Sequence, residues 1–174
     1  MIQSVKKEFE AGYDYPGKNA DDDYSFANLC ARAEEETISS IVDVNSEVFL
    51  APHSMIEAVK KSCEENGEQI PVTPWEIARV IYRSLAVCYK IAAVEIEDIT
   101  GKKFPSVNIV GGGSNAEYLN KLTAKVTGRT IYAGPSEATA IGNIGVQMIA
   151  DGIFKDLKSF RKSVYGSFGV KKYE

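Results

Sequence analysis

Residues 106–147 read SVNIVGGGSNAEYLNKLTAKVTGRTIYAGPSEATAIGNIGVQ, and the pattern of this stretch decides the fold class. Val107-Asn108-Ile109-Val110 is a short run rich in β-branched residues between Pro105 and Gly111-Gly112-Gly113, which predicts a buried strand. Ser114 with Glu117 three residues later has the form of a capping box, opening a helix that carries Leu119, Leu122 and Val126 and stops at Gly128. Thr130-Ile131-Tyr132 predicts a second strand, Gly134-Pro135 a turn, and Ser136 a cap for a helix reaching about Ala150. A last, polar-faced helix is expected from Lys155 to Val164. The order strand, helix, strand, helix implies a parallel pair with a right-handed crossover, a small βαβα unit in an α/β protein.

The preceding hundred residues read as mostly helical. Thr73-Pro74-Trp75-Glu76 combines a cap, proline at the first helical position and a reciprocal glutamate. Ile77, Ile81, Leu85, Cys88 and Ala92 then continue one apolar face towards Thr100, where Gly101 ends it. At 1.5 Å per residue this helix is about 40 Å long, suited to a scaffold covered on more than one side. Ser54 and Glu57 suggest another capping box, for a helix with Met55, Ala58, Val59 and Cys63. Phe26, Leu29 and Cys30 support a short helix ending in Glu34-Glu35-Glu36, and residues 41–44 and 48–50 read as extended segments or partly buried loop. Ala11 to Asp23, with Gly, Pro, Asn and three consecutive Asp, reads as a solvated surface loop inserted between elements. Met1, Ile2, Val5 and Phe9 have helical spacing without a cap in front, so the chain is expected to begin within an element. Two strands make a marginal sheet with an open edge, which implies further strands before Met1.

Composition narrows the function. The chain has 174 residues, 44% hydrophobic and 25% charged, ordinary for a globular domain. Its net charge of −4 and pI near 5.2 lack the basic excess that binding to a phosphate backbone requires, so no nucleic acid partner is expected. No apolar stretch approaches the length of a membrane span, no secretory leader is recognisable, and Cys30, Cys63 and Cys88 have no metal-type spacing. These features suit reduced thiols in a cytoplasmic protein.

Gly111, Gly112 and Gly113 are the strongest chemical signal. Without Cβ atoms they let a ligand approach the backbone, and unpaired amides before a helix attract phosphate; a tight strand-to-helix turn needs the same glycines. Gly111, Gly113 and Ala116 formally satisfy a dinucleotide fingerprint, but the strand at Thr130–Tyr132 ends without an acid for a ribose hydroxyl. A Walker-A pattern is absent. Gly142 and Gly145 lie within a helix, implying close packing or, at Gly142, a ligand. His53 has no nucleophile partner, and the Asp21–Asp23 and Glu34–Glu36 runs lack ligand spacing, so neither is given a role.

The ordered segments GGGS, LNKLTA and AGPSEATAIGN, with FLAP at Phe49–Pro52 and IPVTPWEIAR at residues 70–79, resemble the C-terminal domain of the FGGY carbohydrate kinases. The likeness is thinner before Phe49, although Met1-Ile2-Gln3 is similar to the end of a family segment. The resemblance implies two actin-like domains of the ribonuclease H type, with ATP between them and the sugar mainly on the N-terminal one. Residues 1–174 would then be an incomplete part of the C-terminal, nucleotide-binding domain, packed in the whole enzyme against the missing N-terminal part. Carried over residue by residue, Gly112, flanked by Gly111 and Gly113, matches the loop beside the nucleotide, and Gln3 the helix residue opposite it. Relatives tend to have Asn where this chain has Ala116, and Asn115 is the available substitute. The base, the phosphate loops and most Mg²⁺ ligands are expected before Met1, so ATP and a ketose sugar are partners of the full enzyme. The fragment alone is expected to be inactive, with no catalytic or metal residue of its own. Xylulose-, fuculose- or glycerol-type members of the family, or a non-catalytic actin-like module, are the alternatives.

Overall fold

A computed structural model describes all of residues 1–174. Their contacts gather into two compact units, Met1–Gly101 and Lys102–Glu174.

The first unit is helical: α1 (Ile2–Glu10), α2 (Phe26–Glu35), a 3-10 turn at Glu47–Phe49, α3 (Met55–Glu65) and α4 (Pro74–Thr100). The Thr73–Glu76 capping box forms in full, and Gly101 ends α4 at φ 65°, in the left-handed region that glycine enters without a steric penalty. Val5 and Phe9 of α1, Ile56, Val59 and Cys63 of α3, and Ile77, Val80 and Ile81 of α4 form one buried core. Three expectations need correction here. Residues 41–44 form no strand, and residues 47–49 form the 3-10 turn. Only the first half of α4, from Pro74 to Ala86, is covered; further along Ile91, Val94, Ile96 and Ile99 are exposed.

The third correction concerns the acidic loop. Tyr15 is buried and Tyr24 half-buried, and Phe9 meets the rings of Tyr13, Tyr15 and Tyr24 at 5.5 Å, while Tyr24 stacks on Trp75. Asp22 accepts from the Tyr15 hydroxyl and from the Asn19 amide, and Asp23 from the amide and hydroxyl of Ser25. The charges face water, but the aromatic residues between them anchor the segment in the core, so charge density alone misread it.

At the start of α3 the Ser54 side chain accepts from the Glu57 amide as expected. The returning carboxylate, however, is Glu8 of α1, which accepts from the Ser54 hydroxyl and from the Met55 amide at 2.7 Å. Glu57 instead accepts from Tyr13. A cap partner supplied by another helix is invisible to local spacing, and it ties α1 to α3.

The second unit holds β1 (Ser106–Ile109), a 3-10 turn at Gly112–Asn115, α5 (Glu117–Thr127), β2 (Thr130–Ala133), α6 (Ala138–Ala150), α7 (Leu157–Ser167) and β3 (Lys171–Tyr173). β1 and β2 are parallel with Val107 opposite Ile131, as the βαβα reading requires. β3, unforeseen in the exposed Lys171-Lys172-Tyr173, adds antiparallel to β2, so the sheet is mixed with order β1-β2-β3. Asp156 caps α7 in a capping box with Ser159, which shifts that helix to Leu157–Ser167. No helix is long and apolar enough to cross a membrane.

Candidate functional site

The turn between β1 and α5 is built by strand geometry and side-chain hydrogen bonds. Gly134 N–H donates to the Ile109 carbonyl at 2.8 Å, and Gly111 N–H to the Pro135 carbonyl at 3.1 Å, so the end of β1 stays tied to the segment after β2. Gly111 then turns the chain at φ 75°, a conformation that L side chains resist. Ser114 N–H and Ser114 Oγ–H both donate to the Gly111 carbonyl, at 3.0 and 2.7 Å. Buried Asn120, from the first turn of α5, donates its side-chain amide to the Ser114 carbonyl at 2.8 Å.

This geometry corrects two local expectations. Ser114 does not cap α5: the N-cap is Ala116 without a side-chain bond, because the 3-10 turn sits between Ser114 and the helix. Likewise α6 begins after Glu137 with no side-chain cap, so Ser136 does not serve there.

The three glycines have different reasons to be glycine. Gly111 needs its left-handed backbone, whereas Gly112 and Gly113 are exposed and have no such φ. A Cβ on Gly112 would meet nothing within 4 Å, and one on Gly113 only Ile109 at 3.9 Å. The first amides of a 3-10 turn have no acceptor inside it. The turn thus offers open, small-residue backbone with donors available to an anionic or polar ligand. Turn-making and ligand access, which glycine content alone leaves as alternatives, divide between neighbouring residues.

Asn115 is exposed at the end of the same turn, next to half-buried Ala116. Glu117, which follows, pairs with Lys121 at 3.4 Å and with Lys171 at 3.9 Å across the surface. Gln3 is exposed on α1 of the first unit. The structure therefore brings Gly111, Gly112, Gly113 and Asn115 together in one turn, and Gln3 belongs to the other unit. Ser114 and Asn120 were missed by spacing arguments, although a buried Asn six residues after a glycine-turn serine is the kind of signal that marks a side chain bonding to backbone.

Gly142 and Gly145 also separate. A Cβ at Gly145 would lie 2.2 Å from the Phe160 ring of α7, so close packing explains that glycine. Gly142 has open space before it and lines a groove of about 710 Å³ with Asn108, Tyr132, Pro135 and Arg161. No group of three or more His, Cys, Asp or Glu side chains gathers to hold a metal ion, so no step is routed through Mg²⁺ on these residues.

Set against known proteins, residues 14–150 match the FGGY family of carbohydrate kinases, C-terminal domain. The chain belongs to that family. It is 44% identical over 173 residues to the rhamnulokinase of Halalkalibacterium halodurans, covering 99% of this chain and 35% of that protein. The rhamnulokinase of Oceanobacillus iheyensis is 42% identical over 173 residues, covering 99% and 34%, and that of Bacillus subtilis 40% over 172, covering 98% and 33%. The likeness thus runs through the first fifty residues as well. The chain spans about a third of the length of the curated relatives it matches.

Proposed function

We propose that this chain is the nucleotide-facing, C-terminal part of an ATP-dependent sugar kinase that phosphorylates the 1-hydroxyl of L-rhamnulose. The exposed Gly112-Gly113 backbone carries the reading, since it lets main-chain amides lie against ATP in a family of carbohydrate kinases. The name shared by relatives at 40 to 44% identity supports the ketose. Asn115 and Gln3 are the further nucleotide contacts, by resemblance to the family. We infer a ribonuclease H-like domain in the whole protein and cytoplasmic action on a soluble sugar.

Phosphoryl transfer is a matter of position and charge: the γ-phosphate must lie in line with the attacking oxygen while developing charge is neutralised. In this reading the residues of this chain bind and orient the nucleotide. The base, the phosphate-gripping loops and the Mg²⁺ ligands belong to the remaining two thirds of the parent protein. The 174 residues alone therefore hold ATP weakly and do not turn over.

Gly112→Val tests the reading, because the backbone there accepts an L residue and the added bulk meets only what binds. In the full-length protein the variant keeps its fold and raises the ATP KM tenfold or more, or lowers kcat. Unchanged values for both would refute nucleotide contact at the turn. Assays with L-rhamnulose, xylulose, fuculose and glycerol decide the sugar: the highest kcat/KM falls on L-rhamnulose, and a preference for another overturns that assignment.

A further inference from the structure

We propose that Ser114 and Asn120 are positioning residues for the nucleotide, holding the glycine turn in the one conformation that leaves its first amides unspent. The proposal rests on the nucleotide reading above. Neither side chain needs to touch ATP: both are buried, Ser114 at 7% exposure and Asn120 at 0%. Their bonds run in series, from Asn120 Nδ2 to the Ser114 carbonyl and from Ser114 Oγ to the Gly111 carbonyl, so α5 grips both ends of the turn.

Three observations favour positioning over plain stability. Asn120 Oδ1 is buried without a hydrogen-bond partner, a destabilising arrangement that an apolar side chain of similar size avoids. The gain from keeping an amide there is the bond to Ser114. The Gly111 carbonyl already accepts the Ser114 N–H, so the hydroxyl adds a second restraint to a group that is already satisfied. Finally, Gly112 and Gly113 carry no side chain to hold themselves, and two consecutive glycines sample many backbone states unless something else confines them. Free rotation there spreads the amides over conformations of which only a fraction match a bound phosphate or sugar edge, and apparent affinity falls by that fraction.

The test compares Ser114→Ala, Ser114→Thr and Asn120→Leu in the full-length protein, with kcat and KM measured for ATP and for the sugar. The expected result is an ATP KM raised about five- to tenfold in Ser114→Ala and Asn120→Leu, the scale of one lost hydrogen bond. The sugar KM stays within about twofold, and Ser114→Thr, which keeps the hydroxyl, behaves as the parent. An unchanged ATP KM in folded Ser114→Ala overturns the proposal, as does an equal rise in both KM values. Should Asn120→Leu fail to fold, Ser114→Ala decides alone, since it removes only the duplicate bond. Gly112→Val separates this from the underlying reading: if Gly112→Val raises the ATP KM and Ser114→Ala does not, the turn meets nucleotide without needing these two side chains.

Discussion

The two units of the chain solve the problem of burial differently. Residues 1–101 wrap four helices round a core that includes Phe9, Leu29, Ile56, Ile77 and Ile81, all nearly or fully removed from water. Residues 102–174 bury Leu119, Ile131, Ala133 and Phe160 but leave Val110, Ile144, Val146, Ile153 and Phe168 exposed. The second unit also keeps β1 as an open sheet edge and carries the glycine turn. Thin burial and an accessible backbone go together, because a segment that must meet a ligand cannot also be sealed in a core.

The largest expected effect tests the strength of the first unit. Phe9→Ala removes a ring at 1% exposure that touches Tyr13, Tyr15 and Tyr24, and should cost about 3–5 kcal/mol. Chemical denaturation followed by Trp75 fluorescence measures it, and a loss below about 1 kcal/mol would show that the aromatic cluster does not hold the acidic loop.

A pair of substitutions next asks how tightly the second unit is packed. Gly145→Ala forces a methyl onto the Phe160 ring and should destabilise by about 1–3 kcal/mol, whereas Gly142→Ala enters open space and should stabilise by up to about 1 kcal/mol. Hydrogen exchange in α6 and α7 reads both. Equal effects would mean that the groove side is as crowded as the packed side.

The smallest effect is a pH dependence at a helix start. The Ser159 amide and hydroxyl bonded to Asp156 hold its carboxyl below the ordinary 3.8. A depressed folded pKa stabilises fully above that value and ceases to do so as pH falls through the lowered one. The Ser159 amide should lose exchange protection on acidification below about pH 4, and Asp156→Ala should lose it at every pH; protection that persists at pH 2 in the parent would show that the carboxylate is not the cap. Asp22 and Asp23, lowered by the amides of Asn19 and Ser25, should make the acidic loop respond in the same direction.

Reactivity of the thiols follows burial. Burial pushes the Cys63 thiol up to about 11, while Cys88 is only half-buried. Iodoacetamide at pH 8 should label Cys88 first and spare Cys63 until the fold opens; labelling of Cys63 at a comparable rate would show that the first unit opens readily.

Most of the helices were legible because their signals are local. Thr73, Pro74 and Glu76 lie within one turn of each other, and Gly101 and Gly128 stop their helices through their own backbone freedom. The parallel strands around the glycine turn were legible for the same reason. What escaped came from distant partners. β3 is a charged, exposed segment that becomes a strand only by pairing with β2. The cap of α3 is completed by Glu8, far away in sequence, and Tyr15 enters the core from a loop whose charges advertise solvent. Of the candidate residues, Gly111, Gly112, Gly113 and Asn115 were named from the sequence, but the division of roles among the glycines was not.

By itself the sequence determined that this chain is a helical segment followed by a strand–glycine turn–helix–strand unit of a carbohydrate-kinase family, because caps, stops and hydrophobic periods act over a few residues. Only the tertiary structure decided which glycine makes the turn and which leaves the backbone open, and which buried side chains hold that turn in place. Those depend on φ angles and on hydrogen bonds that exist only after β1, β2 and α5 have packed.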